Sequence, residues 1–148
     1  MRERTGKIDV TRLTSLAPIF AEDAGIVLVF LFGSYAQNHA SVLSDVDLAL
    51  LLSMSVTSDE YLNYRVKYAN LAMETLRDER VDVVILNTAP PLLRHQAIKG
   101  RVLFERSPEA RVEFVVDVQR KYLDLKPFYA IDYAYMKQRL KDGTFGKS

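Results

Sequence analysis

The chain has 148 residues, with 20 lysine and arginine side chains against 19 aspartate and glutamate, and a formal net charge of +1. Because 49% of its residues are hydrophobic and 26% are charged, we expect one compact globular domain and exclude collagen-like, low-complexity and disordered chains. The absence of cysteine excludes a disulfide scaffold, a thiolate nucleophile and a cysteine-based metal site, and the near-neutral charge argues against a broad nucleic-acid-binding face. From the N-terminus onward, the apolar runs fall far short of the roughly 20 residues of a membrane helix, so we expect a cytoplasmic chain that is neither secreted nor inserted.

Hydrophobic periodicity and turn residues predict helices and strands along the whole chain. In order they are a helix over about 9–23, strands over 26–32 and 44–52, a helix over 58–78, a strand over 80–86, a helix over 92–99, a strand over 101–105 and a helix over 107–126. Pro127 should kink or restart the last helix, which then continues over 128–140. This order predicts an α+β fold, α/β-like, with helices flanking a mixed sheet of about four to five strands.

Local signals support two of the helices. Asp9 or Thr11 can cap the first helix, and Gly25 should end it before the strand that follows. In the helix over 58–78, tyrosines recur on one face, a pattern more typical of a core than of a ligand platform: Tyr61, Tyr64 and Tyr68.

Three carboxylates lie on two of the predicted strands. Asp45 and Asp47 are two positions apart, so they project from one face of their strand while Val46 projects from the other. Adjacent carboxylates repel and resist burial unless a cation lies between them, and hard divalent cations prefer such oxygen ligands. Asp82 interrupts an otherwise apolar strand, which could lie beside the pair at the usual spacing of about 4.8 Å. Three carboxylates could hold two Mg²⁺ ions about 3.5–4 Å apart, the arrangement that clamps an in-line phosphoryl displacement.

Gly33 and Ser34 could supply the phosphate end of such a site. A glycine at a strand end lets the backbone approach a phosphate, and Ser34 at a helix N-terminus offers a hydroxyl and free N–H groups. In this arrangement Asp45 and Asp47 hold the metal that bridges the phosphates. Asp82 would position the second metal and act as general base toward the incoming hydroxyl.

The order of these residues is similar to a known signature. Gly33-Ser34, ten further residues, Asp45-Val46-Asp47 and the later Val81-Asp82-Val83-Val84 resemble the DNA polymerase β-like nucleotidyltransferases. Within that group, the small size and the segment 81–105 resemble the minimal nucleotidyltransferase (MNT) antitoxins that pair with HEPN-domain ribonuclease toxins. The resemblance covers about residues 26–105. It implies a nucleotidyltransferase fold in which Gly33 and Ser34 bind triphosphate and the metal and base positions are Asp45, Asp47 and Asp82.

The resemblance also implies a reaction and a partner. A chain of this family would use ATP and two Mg²⁺ ions to transfer AMP to a tyrosine of a cognate HEPN toxin, and would thereby silence its ribonuclease activity. The expected assembly is a hetero-oligomer with that toxin, with no membrane and no direct nucleic-acid contact. Residues 1–106 would form the minimal nucleotidyltransferase domain, and 107–148 a helical extension of the same domain that docks the partner. Tyrosines concentrate in that extension, at Tyr122, Tyr129, Tyr133 and Tyr135.

Other interpretations stay open at this stage. The same fold could neutralise a toxin by occlusion without catalysis, or could adenylylate a small molecule as the related aminoglycoside nucleotidyltransferases do. Asp45 and Asp47 could be a solvated edge, and Asp82 could pair with Arg80. His39 and His95 are more typical of exposed or structural positions than of ligands, and two histidines without cysteine disfavour zinc. Several basic residues could contact a triphosphate or merely be solvated: Arg65, Lys67, Arg77, Lys99 and Arg101.

Overall fold

The computed structural model describes residues 10–33, 35–36 and 45–141, with side chains described from 11 to 128 within those ranges. Its elements, in chain order, are α1 (Val10–Thr14), α2 (Ala17–Ala21), β1 (Ile26–Phe32), β2 (Val46–Leu52), a 3-10 helix (Ser58–Glu60), α3 (Tyr61–Leu76), β3 (Val81–Ile85), a second 3-10 helix (Leu86–Thr88), α4 (Pro91–Ile98), β4 (Arg101–Glu105) and α5 (Pro108–Lys141). No helix among the described residues combines the length and apolar character that crossing a membrane requires.

The four strands form one mixed sheet in the order β3-β2-β1-β4. The central strand β1 pairs antiparallel with both β2 and β4, while β2 pairs parallel with β3. The parallel pair is joined by a crossover through α3, as parallel strands require. The expected α+β fold with a mixed sheet of about four to five strands is therefore confirmed, and the described residues form four.

The two faces of the sheet are covered by different helices. Alternate side chains of the strands, Val46 and Leu48 of β2 among them, pack with α1, α2 and α3 in the larger core. The opposite face holds a smaller core around Phe30 and Ala49, which α4 and the first turns of α5 cover. Because the side chains of a strand alternate, every odd-numbered residue of β2 faces this smaller core.

The predicted first helix is two short helices rather than one. Ser15 N–H bonds to the Arg12 carbonyl and Leu16 N–H to the Leu13 carbonyl, so the chain tightens into a turn between α1 and α2. The side chains of Thr14 and Ser15 also bond back to main-chain carbonyls, and such bonds compete with the helical ladder. Pro18 has no N–H to continue that ladder, which completes the break.

Gly25 lies at the predicted turn for a different reason than expected. Among the described glycines only Gly33 has a positive φ, so Gly25 does not supply a left-handed helix end. A Cβ at Gly25 would instead clash with the Tyr64 hydroxyl and lie 2.9 Å from Cγ2 of Val56. The residue is small because α3 packs directly against it.

The last helix continues through Pro127, so the predicted restart is wrong, while the predicted kink stays a prediction. Pro127 and Leu123, one turn earlier, are both exposed, and the carbonyl that loses its helical partner at this position can bond to water. The other predicted boundaries agree to within about two residues, which is the usual scatter of helix and strand ends.

Candidate active site

Asp47 and Asp82 are direct neighbours across the parallel strands β2 and β3. Residues opposite each other in a sheet project from the same face, so both carboxylates lie on the side of the smaller core. Val46 on the other face of β2 is fully buried in the larger core, as the alternation predicts. The helices that cover the smaller core pack on Ala49 and Val84, the next residues along that face, and the end with the two carboxylates is more open.

Asp45 lies one residue before β2, so the strand begins later than predicted. Its side chain is exposed, and its charge acts on Asp47. Burial, and then the negative charges of Asp82 and Asp45, raises the pKa of the Asp47 carboxyl from its ordinary 3.8 to about 6. The three carboxylates thus share one electrostatic environment, and their negative charge there is costly without a cation.

Gly33 closes this end of the site from β1. Phe32, the last residue of β1, pairs with Asp47, and Gly33 follows with a φ of +73°. A Cβ at Gly33 would clash with Oδ2 of Asp47. Glycine is therefore required both by the left-handed backbone and by the close approach to the carboxylate. Ser34, and the segment 37–44 with His39, lie outside the described residues.

Arg65 reaches the same cluster from α3. Its Nη2 lies 3.7 Å from Oδ1 of Asp82, and both side chains are about half exposed, at 53% and 54%. The contact is possible because β3 is an edge strand beside α3. The sequence leaves Arg65 as one of five equivalent basic residues, because nothing in the helix pattern indicates that this position borders the edge of β3.

The carboxylate oxygens of this site suit a hard divalent cation. Within the described part of the chain, no three histidine, aspartate or glutamate side chains converge closely enough to hold an ion between them. Mg²⁺, however, is usually held by one or two carboxylates, with waters and substrate phosphates at its remaining positions. Asp47 and Asp82, with Asp45 nearby, supply the carboxylates that such a Mg²⁺ site needs, and Gly33 lies beside them.

The two other predicted groups on the described helices are structural. His95 of α4 stacks on Tyr122 of α5 with ring centroids 3.5 Å apart, which joins the two helices over the smaller core. Tyr68 is buried in the larger core, and the hydroxyls of Tyr64 and Tyr68 both donate to the Asp23 carboxylate. The core interpretation of the tyrosine stripe is therefore confirmed.

A family profile described as "Polymerase beta, Nucleotidyltransferase" matches residues 14–109, more than half of the chain. The chain belongs to this nucleotidyltransferase family. The matched segment includes all four strands and the candidate carboxylates, and the mixed sheet with its flanking helices is the nucleotidyltransferase fold. A search of curated proteins found no match to this nucleotidyltransferase.

Three solved structures described as toxin–antitoxin complexes share this fold. The nucleotidyltransferase chain matches one described as a toxin–antitoxin with AMP-PNP at 24% identity and a TM-score of 0.65, over 85% of this chain and 97% of that chain. It matches a MntA–HepT toxin–antitoxin at 21% identity and a TM-score of 0.63, over 86% and 99% of the two chains. A third match, at 23% identity, a TM-score of 0.60 and coverage of 85% and 94%, is a tri-AMPylated Shewanella oneidensis HEPN toxin in complex with MNT antitoxin. At these identities the likeness establishes a shared fold.

Proposed function

We propose that this nucleotidyltransferase is an antitoxin that transfers AMP from ATP to a tyrosine of a cognate HEPN ribonuclease toxin. The observation that carries the proposal is the register of β2 and β3, in which Asp47 and Asp82 are neighbours on the open end of one face, beside Gly33. The toxin–antitoxin complexes that share the fold, one with AMP-PNP and one with an AMPylated toxin, support the nucleotide and the acceptor.

The roles follow from the positions of the side chains. Asp45 and Asp47 would hold Mg²⁺, and Asp82 would help hold a second ion. When bound, Mg²⁺ neutralises phosphate charge and polarises the phosphorus–oxygen bonds. Gly33 would let the backbone at the end of β1 approach a phosphate, and its lack of a side chain also avoids a clash with Asp47. Ser34, next in the chain, would add a hydroxyl and N–H groups to the triphosphate contact.

The transfer forms one bond and breaks one bond, and it releases the proton of the tyrosine hydroxyl. The phenolic oxygen of the toxin tyrosine forms a bond to the α-phosphorus, the α–β phosphoanhydride bond breaks, and pyrophosphate leaves. The phenolic proton passes to the carboxylate of Asp82, which then releases it to water. Asp82 is suited to this role because its side chain is half exposed and therefore accessible to an incoming hydroxyl.

The toxin would dock on α5, the helix of the predicted C-terminal extension. Val112, Val116 and Leu123 are exposed on α5, and their spacing puts them on one stripe of the helix. Beside them, Met54 is fully exposed at the rim of a groove between the end of β2 and α5. An exposed apolar stripe of this kind is typical of a surface that a partner covers. The division at residue 106 and the role of 107–148 remain predictions.

The test measures label transfer from α-labelled ATP to a purified cognate HEPN protein in the presence of Mg²⁺. We expect transfer by the wild type, loss of transfer by Asp47→Asn, and unchanged transfer by Asp59→Asn, which alters an exposed carboxylate on the 3-10 helix before α3. Mg²⁺ removal with a chelator should abolish the signal. Transfer that survives Asp47→Asn would contradict the mechanism, and neutralisation of the toxin by Asp47→Asn at equal abundance would favour occlusion.

A further inference from the structure

The contact between Arg65 and Asp82 is loose enough to be exchanged. The separation of 3.7 Å between Nη2 and Oδ1 exceeds the 2.7–2.9 Å typical of a charge-assisted hydrogen bond, and both side chains are about half exposed. A pair of this kind contributes little to folding stability, in the range of surface salt bridges. Because the contact lies at the edge of a cluster of three carboxylates, we ask whether Arg65 acts on that cluster rather than stabilising α3 against β3.

Charge explains what the contact does in the metal-free chain. Asp82 faces Asp47 across the strands, and the two negative charges repel. The positive guanidinium of Arg65, with Nη2 3.7 Å from Oδ1 of Asp82, offsets part of that repulsion. A divalent cation bound by the carboxylates would replace this compensation and would repel Arg65, since both are positive.

A displaced Arg65 would remain at the rim of the site, because α3 packs against β3 and fixes its backbone. A guanidinium presents several N–H donors in a planar fork that matches the oxygens of a phosphate group. The nucleotide is the anion that would arrive with the metal. Binding of metal and nucleotide would therefore exchange the contact of Arg65 with Asp82 for a contact with a phosphate.

We propose that Arg65 is a positioning residue that pairs with Asp82 in the empty site and with a phosphate of the substrate nucleotide in the loaded site. This inference rests on the proposed nucleotidyltransferase function. It predicts effects of opposite sign when the charge is removed. Cation binding without nucleotide becomes tighter, because a competing positive charge is lost, and nucleotide binding becomes weaker, because a phosphate contact is lost.

The experiment compares wild type, Arg65→Gln, Arg65→Lys and Lys67→Gln. Lys67 is the matched control: it is exposed two positions along α3, and its Nζ lies over the Tyr68 ring rather than at Asp82. Calorimetry measures the affinity for Mn²⁺ alone, and then, with Mg²⁺ present, for an ATP analogue that has a methylene group between its α- and β-phosphorus atoms. Thermal unfolding verifies that each variant is folded.

For Arg65→Gln we expect Mn²⁺ affinity to rise about three- to tenfold, the scale of one charge near a divalent ion in screened solvent. We expect its affinity for the analogue to fall at least tenfold. Arg65→Lys should keep wild-type Mn²⁺ affinity and bind the analogue with intermediate strength, and Lys67→Gln should match the wild type in both measurements.

Equal or weaker Mn²⁺ binding by Arg65→Gln, or unchanged binding of the analogue, would overturn the inference while wild-type binding leaves the proposed function standing. A wild type that binds neither Mn²⁺ nor the analogue would overturn both. The two failures are therefore distinguishable in one set of titrations.

Discussion

Asn87 completes the end of β2 by exchanging two hydrogen bonds with the main chain of Leu52. The Leu52 N–H donates to Oδ1 of Asn87 at 2.8 Å, and Nδ2 of Asn87 donates to the Leu52 carbonyl at 2.9 Å. The side-chain amide thus takes the place of a strand residue after β3 has ended. Neither group of Leu52, whose side chain is buried, is left without a partner at this point.

Replacing Asn87 by aspartate should destabilise the fold. A carboxylate keeps an acceptor for the Leu52 N–H but puts a second acceptor against the Leu52 carbonyl, so one bond becomes a repulsion. We expect a loss of about 1–3 kcal/mol in the free energy of unfolding, the cost of an unsatisfied buried group. Urea denaturation measures it, with Asn70→Asp on the exposed side of α3 as the control. Equal losses in the two variants would contradict the assignment.

Asp23 should make folding stability fall at acidic pH. Burial alone would raise the pKa of Asp23, but hydrogen bonds from the Gly25 N–H and the hydroxyls of Tyr64 and Tyr68 outweigh it and hold the pKa below its ordinary 3.8. Because the folded-state pKa is depressed, the stabilisation is complete well above pH 3.8 and is lost as the pH falls through and below that value. Chemical denaturation at pH 7, 5 and 2.5 should show this loss in the wild type.

Asp23→Asn should be less stable than the wild type at pH 7 and should approach it at pH 2.5, because the variant has no carboxylate to protonate. The control is Asp124→Asn, an exposed position on α5, which should leave the pH profile of the wild type unchanged. A constant difference between Asp23→Asn and the wild type across this range would show that charge is not the cause.

Asp47→Asn should stabilise the metal-free chain while removing activity. Burial and the charges of Asp82 and Asp45 raise the pKa of Asp47 to about 6, so ionisation of Asp47 is unfavourable in the folded state. The penalty grows as the pH rises from about 4 to 7, which is the opposite sign to Asp23. We expect a gain of about 1–2 kcal/mol at pH 8 and little change at pH 4.

Mg²⁺ should reverse this order of stability. Added Mg²⁺ should raise the melting temperature of the wild type by ligand linkage, and should have less effect on Asp47→Asn. Thermal unfolding with and without Mg²⁺ measures both effects. Equal stabilisation of the two proteins by Mg²⁺ would exclude Asp47 as a ligand.

Gly33 should tolerate no side chain, for reasons of space as well as of backbone conformation. Gly33→Ala should lose at least 100-fold in transfer rate, because its Cβ meets Oδ2 of Asp47. Asparagine accepts a positive φ more readily than alanine does, so Gly33→Asn separates the two causes. We expect Gly33→Asn to be as inactive as Gly33→Ala in the label-transfer assay; recovery in Gly33→Asn would mean that backbone strain alone is responsible.

The strands, and the opposite faces of Val46 and Asp47 on β2, follow from sequence because they rest on period-two alternation, which is a local signal. The register that places Asp82 opposite Asp47 joins two distant strands, and the sequence indicated it only as a possibility. The sequence could not predict features that depend on contacts between distant elements. The Arg65 contact arises because α3 lies at the edge of β3, and the small size of Gly25 is imposed by Tyr64 of the same helix.

The break between α1 and α2 could in principle be predicted from the sequence. A proline such as Pro18 interrupts the helical hydrogen-bond ladder. The spacing of Leu13, Leu16 and Phe20 nevertheless predicts one helix, because the two short helices bury one continuous apolar face. The helix continues through Pro127, which is exposed as Pro18 is, so burial does not separate the two prolines. What accompanies the break before Pro18 is the pair of bonds from the Thr14 and Ser15 side chains to main-chain carbonyls, and the sequence does not show that these bonds form.

Because the site needs the parallel pairing of β2 and β3, it can form only after β3 has been synthesised. Asp47 and Asp82 come from strands separated by the whole of α3, so the two carboxylates are far apart in the nascent chain until the crossover has closed. A chain that has left the ribosome only as far as α3 contains Asp45 and Asp47 but not Asp82, so the carboxylate pair across β2 and β3 is still incomplete. Capture of a luminescent lanthanide ion at this pair would therefore follow the docking of β3 in refolding experiments, and would mark the moment at which the polypeptide becomes competent to bind metal.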